Sequence, residues 1–190
     1  MEEWILLSEV PPPGAATDCR RCPLALQRSR VIWGEGNPQA PILVVLDNPG
    51  AREDAAGESF VCGTRQTLQT CVREAGLSLD DLYVTWVLKC RPRRAYDKEA
   101  ARAACLPYLG EQLAEAPRKV VVPLGNVALQ AYLGDPAAEV KALRGRVLQH
   151  KGQQVVCGYH PLAVRRRPNL LPLLVADLRL AGAAASGLQG

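Results

Sequence analysis

Long apolar runs are missing from this chain. Stretches such as Pro41 to Leu46 end after a few residues, far short of the roughly 20 that cross a bilayer, so no membrane partner is expected. The Met-Glu-Glu-Trp start lacks the basic n-region that opens a signal peptide, and a soluble, cytoplasmic protein is the expectation. The phosphate-cradling pattern G-x-x-x-x-G-K-S/T is also absent, which makes a zinc-stabilised nucleotide hydrolase the weakest reading of the chain. Internal repeats are lacking, and Gly 16 with Pro 15 in 190 residues is too little for a low-complexity polymer. Phenylalanine occurs once and histidine only twice, so Phe60 and His160 stand out.

What is present suits one compact domain. With 48% hydrophobic and 22% charged residues the chain can bury a globular core, and a monomer is expected. Lys+Arg 23 against Asp+Glu 19 gives a net charge of +4, which permits a nucleic-acid partner without requiring one. Residues 1–18 contain Pro11-Pro12-Pro13-Gly14 and read as an N-terminal arm, residues 19–181 as the folded domain, and residues 182–190 as a small, flexible tail.

Four short runs rich in β-branched residues read as buried strands: Pro41 to Asp47, Leu82 to Leu88, Lys119 to Leu124 and Gln154 to Tyr159. Between and after them lie helical patterns over Arg65 to Ala75, Asp97 to Ala114, Asn126 to Leu133 and Leu170 to Ala181. This alternation predicts the α/β class, a three-layer αβα fold around a central four-stranded parallel sheet. Ligands of such sheets bind beyond the carboxyl ends of the strands, so the chemistry is expected in the loops after Asp47, Leu88, Leu124 and Tyr159.

Seven cysteines in a chain with no export signal argue for metal ligation over a disulfide framework, and an odd number leaves one over in any case. Cys19 and Cys22 form C-x2-C, while Cys90 follows a strand and Cys105 lies in a helical pattern. Four thiolates suit either a tetrahedral zinc or a cubane iron-sulfur cluster, and the spacing does not choose. Proline closely follows three of them, in Cys22-Pro23, Cys90-Arg91-Pro92 and Cys105-Leu106-Pro107, which suggests turns around the group. Cys71 and Cys157 read as small core residues, and Cys62 falls in a loop.

Several motifs together resemble a known family. Cys19-x2-Cys22, Trp33-Gly34-Glu35-Gly36-Asn37-Pro38, Asp47-Asn48-Pro49-Gly50-Ala51-Arg52-Glu53-Asp54, Phe60-Val61, Lys89-Cys90-Arg91-Pro92, Cys105-Leu106-Pro107-Tyr108 and Tyr159-His160-Pro161 occur in that order. Their order and spacing resemble the iron-sulfur (family 4) uracil-DNA glycosylases. The resemblance implies a structural 4Fe-4S cluster on Cys19, Cys22, Cys90 and Cys105, with zinc as the alternative, and a site that excises a base flipped from DNA. It also implies that Phe60 stacks on the base and that His160 donates to the base oxygen as charge builds there. Pro49 and Gly50 would line the base site.

Cleaving a base from deoxyribose passes through an oxocarbenium-like sugar, with negative charge growing on the departing base and a water approaching C1′. One group must orient the water and another must stabilise the leaving base. The family usually reads G-E-A-P-G where this chain has Leu46-Asp47-Asn48-Pro49-Gly50. The Asn before Pro-Gly resembles instead the mismatch-specific and single-strand-selective branches, where that Asn orients water. Asn48 is therefore the expected water-positioner, with Asp47 second, and the two can share a target only if the backbone turns between them. Glu53 and Asp54 are expected to anchor the loop.

A second departure lies in the strand before Cys90. Where the family has an Asn that reads the uracil edge, this chain has Trp86, which offers one donor and no acceptor. Trp86 could narrow the pocket, face a purine such as hypoxanthine, or block entry.

The segment His160-Pro161-Leu162-Ala163-Val164-Arg165-Arg166-Arg167-Pro168 resembles the family's minor-groove loop. Leu162 or Val164 would wedge into the space left by the flipped nucleotide, and Arg165, Arg166 and Arg167 would hold phosphates. Arg65 is a further phosphate candidate, as are Arg91, Arg93 and Arg94 in a second basic group and Arg144 and Arg146 in a third. The expected partner is double- or single-stranded DNA carrying a damaged base. Beside the enzyme stands the reading of a non-catalytic iron-sulfur protein that binds damaged or single-stranded DNA.

Overall fold

The computed structural model describes residues 3–55 and 63–187. Its strands are β1 (Glu9–Val10), β2 (Gly34–Gly36), β3 (Ile42–Leu46), β4 (Leu82–Trp86), β5 (Val120–Pro123), β6 (Leu148–His150) and β7 (Gln153–Val155). The helices are α1 (Gly14–Thr17), α2 (Ala51–Asp54), α3 (Thr64–Glu74), α4 (Lys98–Ala114), α5 (Asn126–Leu133), α6 (Val140–Leu143), α7 (Pro161–Arg166) and α8 (Leu171–Ala185).

The four parallel strands read from the sequence form the middle of the sheet, in the order β4-β3-β5-β7. The sheet does not stop at four. It continues through antiparallel β2 and β1 at one edge and antiparallel β6 at the other, giving seven strands in the order β1-β2-β4-β3-β5-β7-β6. These added strands have only two or three residues, too few to show a period of two.

Successive strand residues face opposite layers. Ile42, Val44, Leu46, Val84, Trp86 and Val122 pack with Leu68 and Val72 of α3, Val164 of α7 and Leu174 and Leu178 of α8. Leu43, Val45, Tyr83 and Val121 pack on the other side with Leu109 of α4 and Ala128 of α5. The result is the three-layer αβα arrangement.

Buried ion pairs stitch the loops to this frame. Asp177 of α8, 1% exposed, accepts from Arg144 Nε at 2.8 Å, Arg144 Nη2 at 3.0 Å and the Gly145 N–H at 3.1 Å. Arg144 is thus an internal clamp and not the phosphate contact its sequence neighbourhood suggested. Asp177→Ala would strand its guanidinium. We expect a loss of about 2–3 kcal/mol in chemical denaturation, below the ~3–5 for a fully buried pair because the Arg144 side chain is 19% exposed.

Candidate active site

A cavity of about 460 Å³ opens where β3 and β4 end. Its lining includes the apolar Leu46, Leu68, Val84 and Trp86, the polar Asp47, Asn48 and His160, the charged Glu35, Glu53 and Arg65, and Leu162 and Arg166 of α7. The strand-end rule thus locates the hollow. Asp47 and Asn48 both line it because the backbone bends at Asp47, directly after the last residue of β3.

His160 is held from two sides. It is the N-cap of α7, with Pro161 as the first helical residue, and its Nδ1 accepts from the Leu162 N–H at 3.0 Å. A backbone N–H only donates, so Nδ1 is the bare nitrogen and Nε2 carries the ring proton of the neutral imidazole. Nε2 stands 3.3 Å from Asp47 Oδ1. Beneath the ring lies Gly125, at φ +90°, where a Cβ would come 3.0 Å from His160 Cβ. A side chain there would push the imidazole out of place.

Asp47 Oδ1 also accepts from the Asn48 N–H at 2.8 Å. Burial pushes the Asp47 carboxyl up, but the His160 ring and the N–H groups of Asn48 and of Asp47 itself outweigh it and hold it below its ordinary value. The Asn48 amide is turned by a 3.1 Å bond from Nδ2 to the Pro49 carbonyl. Its Oδ1 takes no hydrogen bond among the described residues and remains an acceptor for water. Pro49 is buried behind the loop, and Gly50 donates its N–H to Glu53 Oε2 at 2.9 Å.

The stacking candidate Phe60 and the neighbouring Cys62 lie outside the described residues. Trp86 is 3% exposed and packs in the core while also lining the cavity, which stays open beside it. Glu53 and Asp54 anchor the loop. Asp54, fully buried, accepts from the Ser29 N–H at 2.9 Å and pairs with Arg93, which is thereby removed from the list of free basic side chains.

Two further readings change. Val164 is 2% exposed and packs against the sheet, so it is no wedge, whereas Leu162 is 37% exposed. The segment is helical, and its inward phase takes Pro161 and Val164 while Leu162 points out. Arg65 donates to Glu35 through Nε at 3.2 Å and Nη2 at 2.6 Å, with Glu53 Oε1 3.3 Å from Nε. It is committed to carboxylates rather than to phosphate. Arg165, Arg166 and Arg167 are exposed and make no ion pair among the described residues.

The four predicted ligands gather on one pocket, lined by Cys19, Cys22, Cys90 and Cys105 with Arg28, Lys89 and Tyr108. Cys105 Sγ accepts from the Lys89 N–H at 3.2 Å and Cys90 Sγ from Arg28 Nη1 at 3.7 Å. Among the described residues no three His, Cys, Asp or Glu side chains are close enough to grip one metal ion. The turn expected at Cys105-Leu106-Pro107 is absent, because α4 runs straight through Pro107. Cys71 and Cys157 are fully buried elsewhere.

A buried lysine beside this pocket escaped the sequence reading. Lys89, 1% exposed, donates from Nζ to Thr85 Oγ1 and Gln112 Oε1, each at 2.7 Å. A lysine closing an apolar strand run was its only signal.

The chain is 34% identical over 172 residues to the Type-4 uracil-DNA glycosylase of Pyrobaculum aerophilum, covering 86% of this chain and 87% of that one. To the Type-4 uracil-DNA glycosylase of Thermotoga maritima it is 33% identical over 162 residues, 84% of each. The crystal structure of Pedobacter heparinus SMUG2 shares the fold, with a TM-score of 0.53 at 14% identity over 78% of this chain and 77% of that one. Residues 33–179 match the family model of the uracil DNA glycosylase superfamily. That match spans strands β2 to β7 and every residue of the His160–Asp47–Asn48 constellation, and the chain belongs to the uracil DNA glycosylase superfamily.

Proposed function

We propose that this protein is a DNA glycosylase of base excision repair, hydrolysing the N-glycosidic bond of a deaminated base flipped out of DNA. The observation that carries this reading is the convergence of His160, Asp47 and Asn48 on one open cavity at the strand ends. As the bond from C1′ to the base breaks, negative charge gathers on the base oxygens, and the Nε2–H of His160, which faces Asp47 in the free protein, is the donor that turns to meet it. Asn48 Oδ1 accepts a hydrogen bond from the attacking water and so aims the water's lone pair at C1′. The Asp47 carboxylate steadies the imidazole and places negative charge near the cationic sugar.

On the DNA side, Leu162 is the wedge that fills the vacated stack, and Arg165 to Arg167 take the phosphates. Cys19, Cys22, Cys90 and Cys105 would hold a 4Fe-4S cluster. Four thiols on one pocket, two of them already accepting N–H bonds, fit that group. A zinc ion at about 2.3 Å from each sulfur would need them drawn closer together. The cluster would tie the Cys19–Cys22 loop to β4 and α4, and no step of base removal passes through it.

Oligonucleotides carrying uracil, hypoxanthine or xanthine, treated with the protein and then with alkali, test the activity. Strand breaks at one or more of these bases are expected; tight binding without breaks on any would make the protein a DNA binder and overturn the reading. Replacing Arg165, Arg166 and Arg167 with Gln should lower the slope of log K against log salt by about 2 to 3. An unchanged slope in a fluorescence-anisotropy titration would move the DNA face elsewhere.

A further inference from the structure

The base-removal reading leaves unanswered what recognises the base, since Trp86 stands where the resembled family has a pyrimidine-reading amide. We infer that the Arg65–Glu35 pair reads it, selecting bases that present a carbonyl beside a ring N–H, the edge that deamination creates. This rests on the glycosylase reading and deepens it.

Glu35 lies on β2 opposite Val84 of β4, two positions from Trp86 on the same face of that strand. It is 5% exposed, and both Glu35 and Arg65 line the cavity. Two parallel bonds lock the guanidinium to the carboxylate, and Glu53 steadies its Nε from the side. Such a fork is rigid. The second Nη2 hydrogen of Arg65, beside Glu35 Oε2, and Nη1 have no partner among the described residues, and each Glu35 oxygen keeps a lone pair beyond the one Arg65 uses.

The pair therefore offers a donor next to an acceptor. Uracil, hypoxanthine and xanthine present the complementary order, a carbonyl that accepts next to an N–H that donates. Cytosine and adenine present the reverse, so that guanidinium would face an amino group and carboxylate a ring lone pair. A mismatch of this kind leaves buried polar groups unpaired on both sides. Thymine carries the same edge as uracil and guanine the same edge as hypoxanthine, and this pair excludes neither.

The test uses the purified full chain with Arg65→Gln, Glu35→Gln and Arg65→Lys. Single-turnover excision of uracil and inhibition by free uracil are measured, alongside affinity for DNA carrying an uncleavable abasic-site analogue. Arg65→Gln and Glu35→Gln should each weaken excision and free-base inhibition by about tenfold or more. Abasic-DNA affinity, measured well below the unfolding midpoint, should stay near that of the unsubstituted protein although the midpoint falls by several degrees, because each Gln leaves a buried charge unpaired, and Arg65→Lys should recover part of the loss of excision and of free-base inhibition. If the unsubstituted protein excises while the Gln variants keep free-base inhibition, the pair is only a tie between β2 and α3 and the inference fails alone. If the unsubstituted protein excises no base, the glycosylase reading fails and takes the inference with it.

Discussion

His160→Ala is expected to lower single-turnover excision by about 10² to 10³-fold, the range seen when one preorganised donor to a developing oxyanion is removed. The expectation follows from how completely the ring is fixed. The Leu162 N–H claims Nδ1, Gly125 leaves space behind the ring, and Nε2–H faces Asp47 Oδ1 at 3.3 Å, so the imidazole already stands at the cavity before substrate arrives, its proton held by Asp47. Only the exchange of that one hydrogen bond from Asp47 to the base oxygen is left for the moment of reaction. Asn48→Ala should cost about 10²-fold by freeing the water from its aim. Neither residue belongs to the exposed arginine segment, so binding to abasic DNA should persist in both variants. The depressed Asp47 pKa carries a sign. Its folded-state carboxylate is favoured over the unfolded one, so it adds stability at any pH above the ordinary carboxylate range and loses it only as pH falls through the lowered value. Unchanged excision in both variants would remove His160 and Asn48 from the site.

The parallel core was legible because β3, β4 and β5 are apolar runs that a sheet buried on both faces accommodates, and β7, itself Gln153–Val155, was signalled by the Val155-Val156-Cys157 run at its end. The loops beyond those strands were legible for the same reason. Side-chain partners were not. Nothing local marks that Arg65 folds back across 30 residues to Glu35, or that Arg93 reaches the buried Asp54. Val164 and Leu162 look equivalent in a loop. They separate only once α7 is helical, because a helix gives Pro161 and Val164 one side and Leu162 the other. Lys89 was missed for a further physical reason. A buried lysine is costly in general, and the Gln112 amide oxygen on α4 together with the Thr85 hydroxyl and the Trp86 carbonyl on β4 make the position tolerable.

Cys105→Ser is expected to abolish iron binding and to lower the unfolding midpoint by roughly 10–20 °C, taking a loss of about 5 kcal/mol at ~2–4 °C per kcal/mol for a domain of this size. Structural metal sites commonly contribute more than that, about 10–16 kcal/mol for zinc in small domains, but here a full core remains to hold the sheet. The consequence should be local first. Cys105 and Cys90 sit at 8% and 6% exposure, whereas Cys19 and Cys22 are only half-buried on a loop whose nearest regular elements are single turns. Burial pushes the unligated Cys90 thiol up to about 12 despite the nearby Arg28 guanidinium, and burial raises the Cys105 thiol as well, so without metal these two side chains are neutral and exert no charge that could organise the loop. The Cys19–Cys22 segment should then become the first site of proteolysis in the variant. Cys157→Ala is the control, because it removes an equally buried sulfur from a cluster of Leu129, Ala138 and Val140 that the ligand pocket does not touch. It should keep the visible absorbance and iron content while losing only about 1 kcal/mol of packing. Metal analysis of the protein with its native sequence decides between iron and zinc, and retention of iron in Cys105→Ser would show that the four thiols do not hold the cluster together.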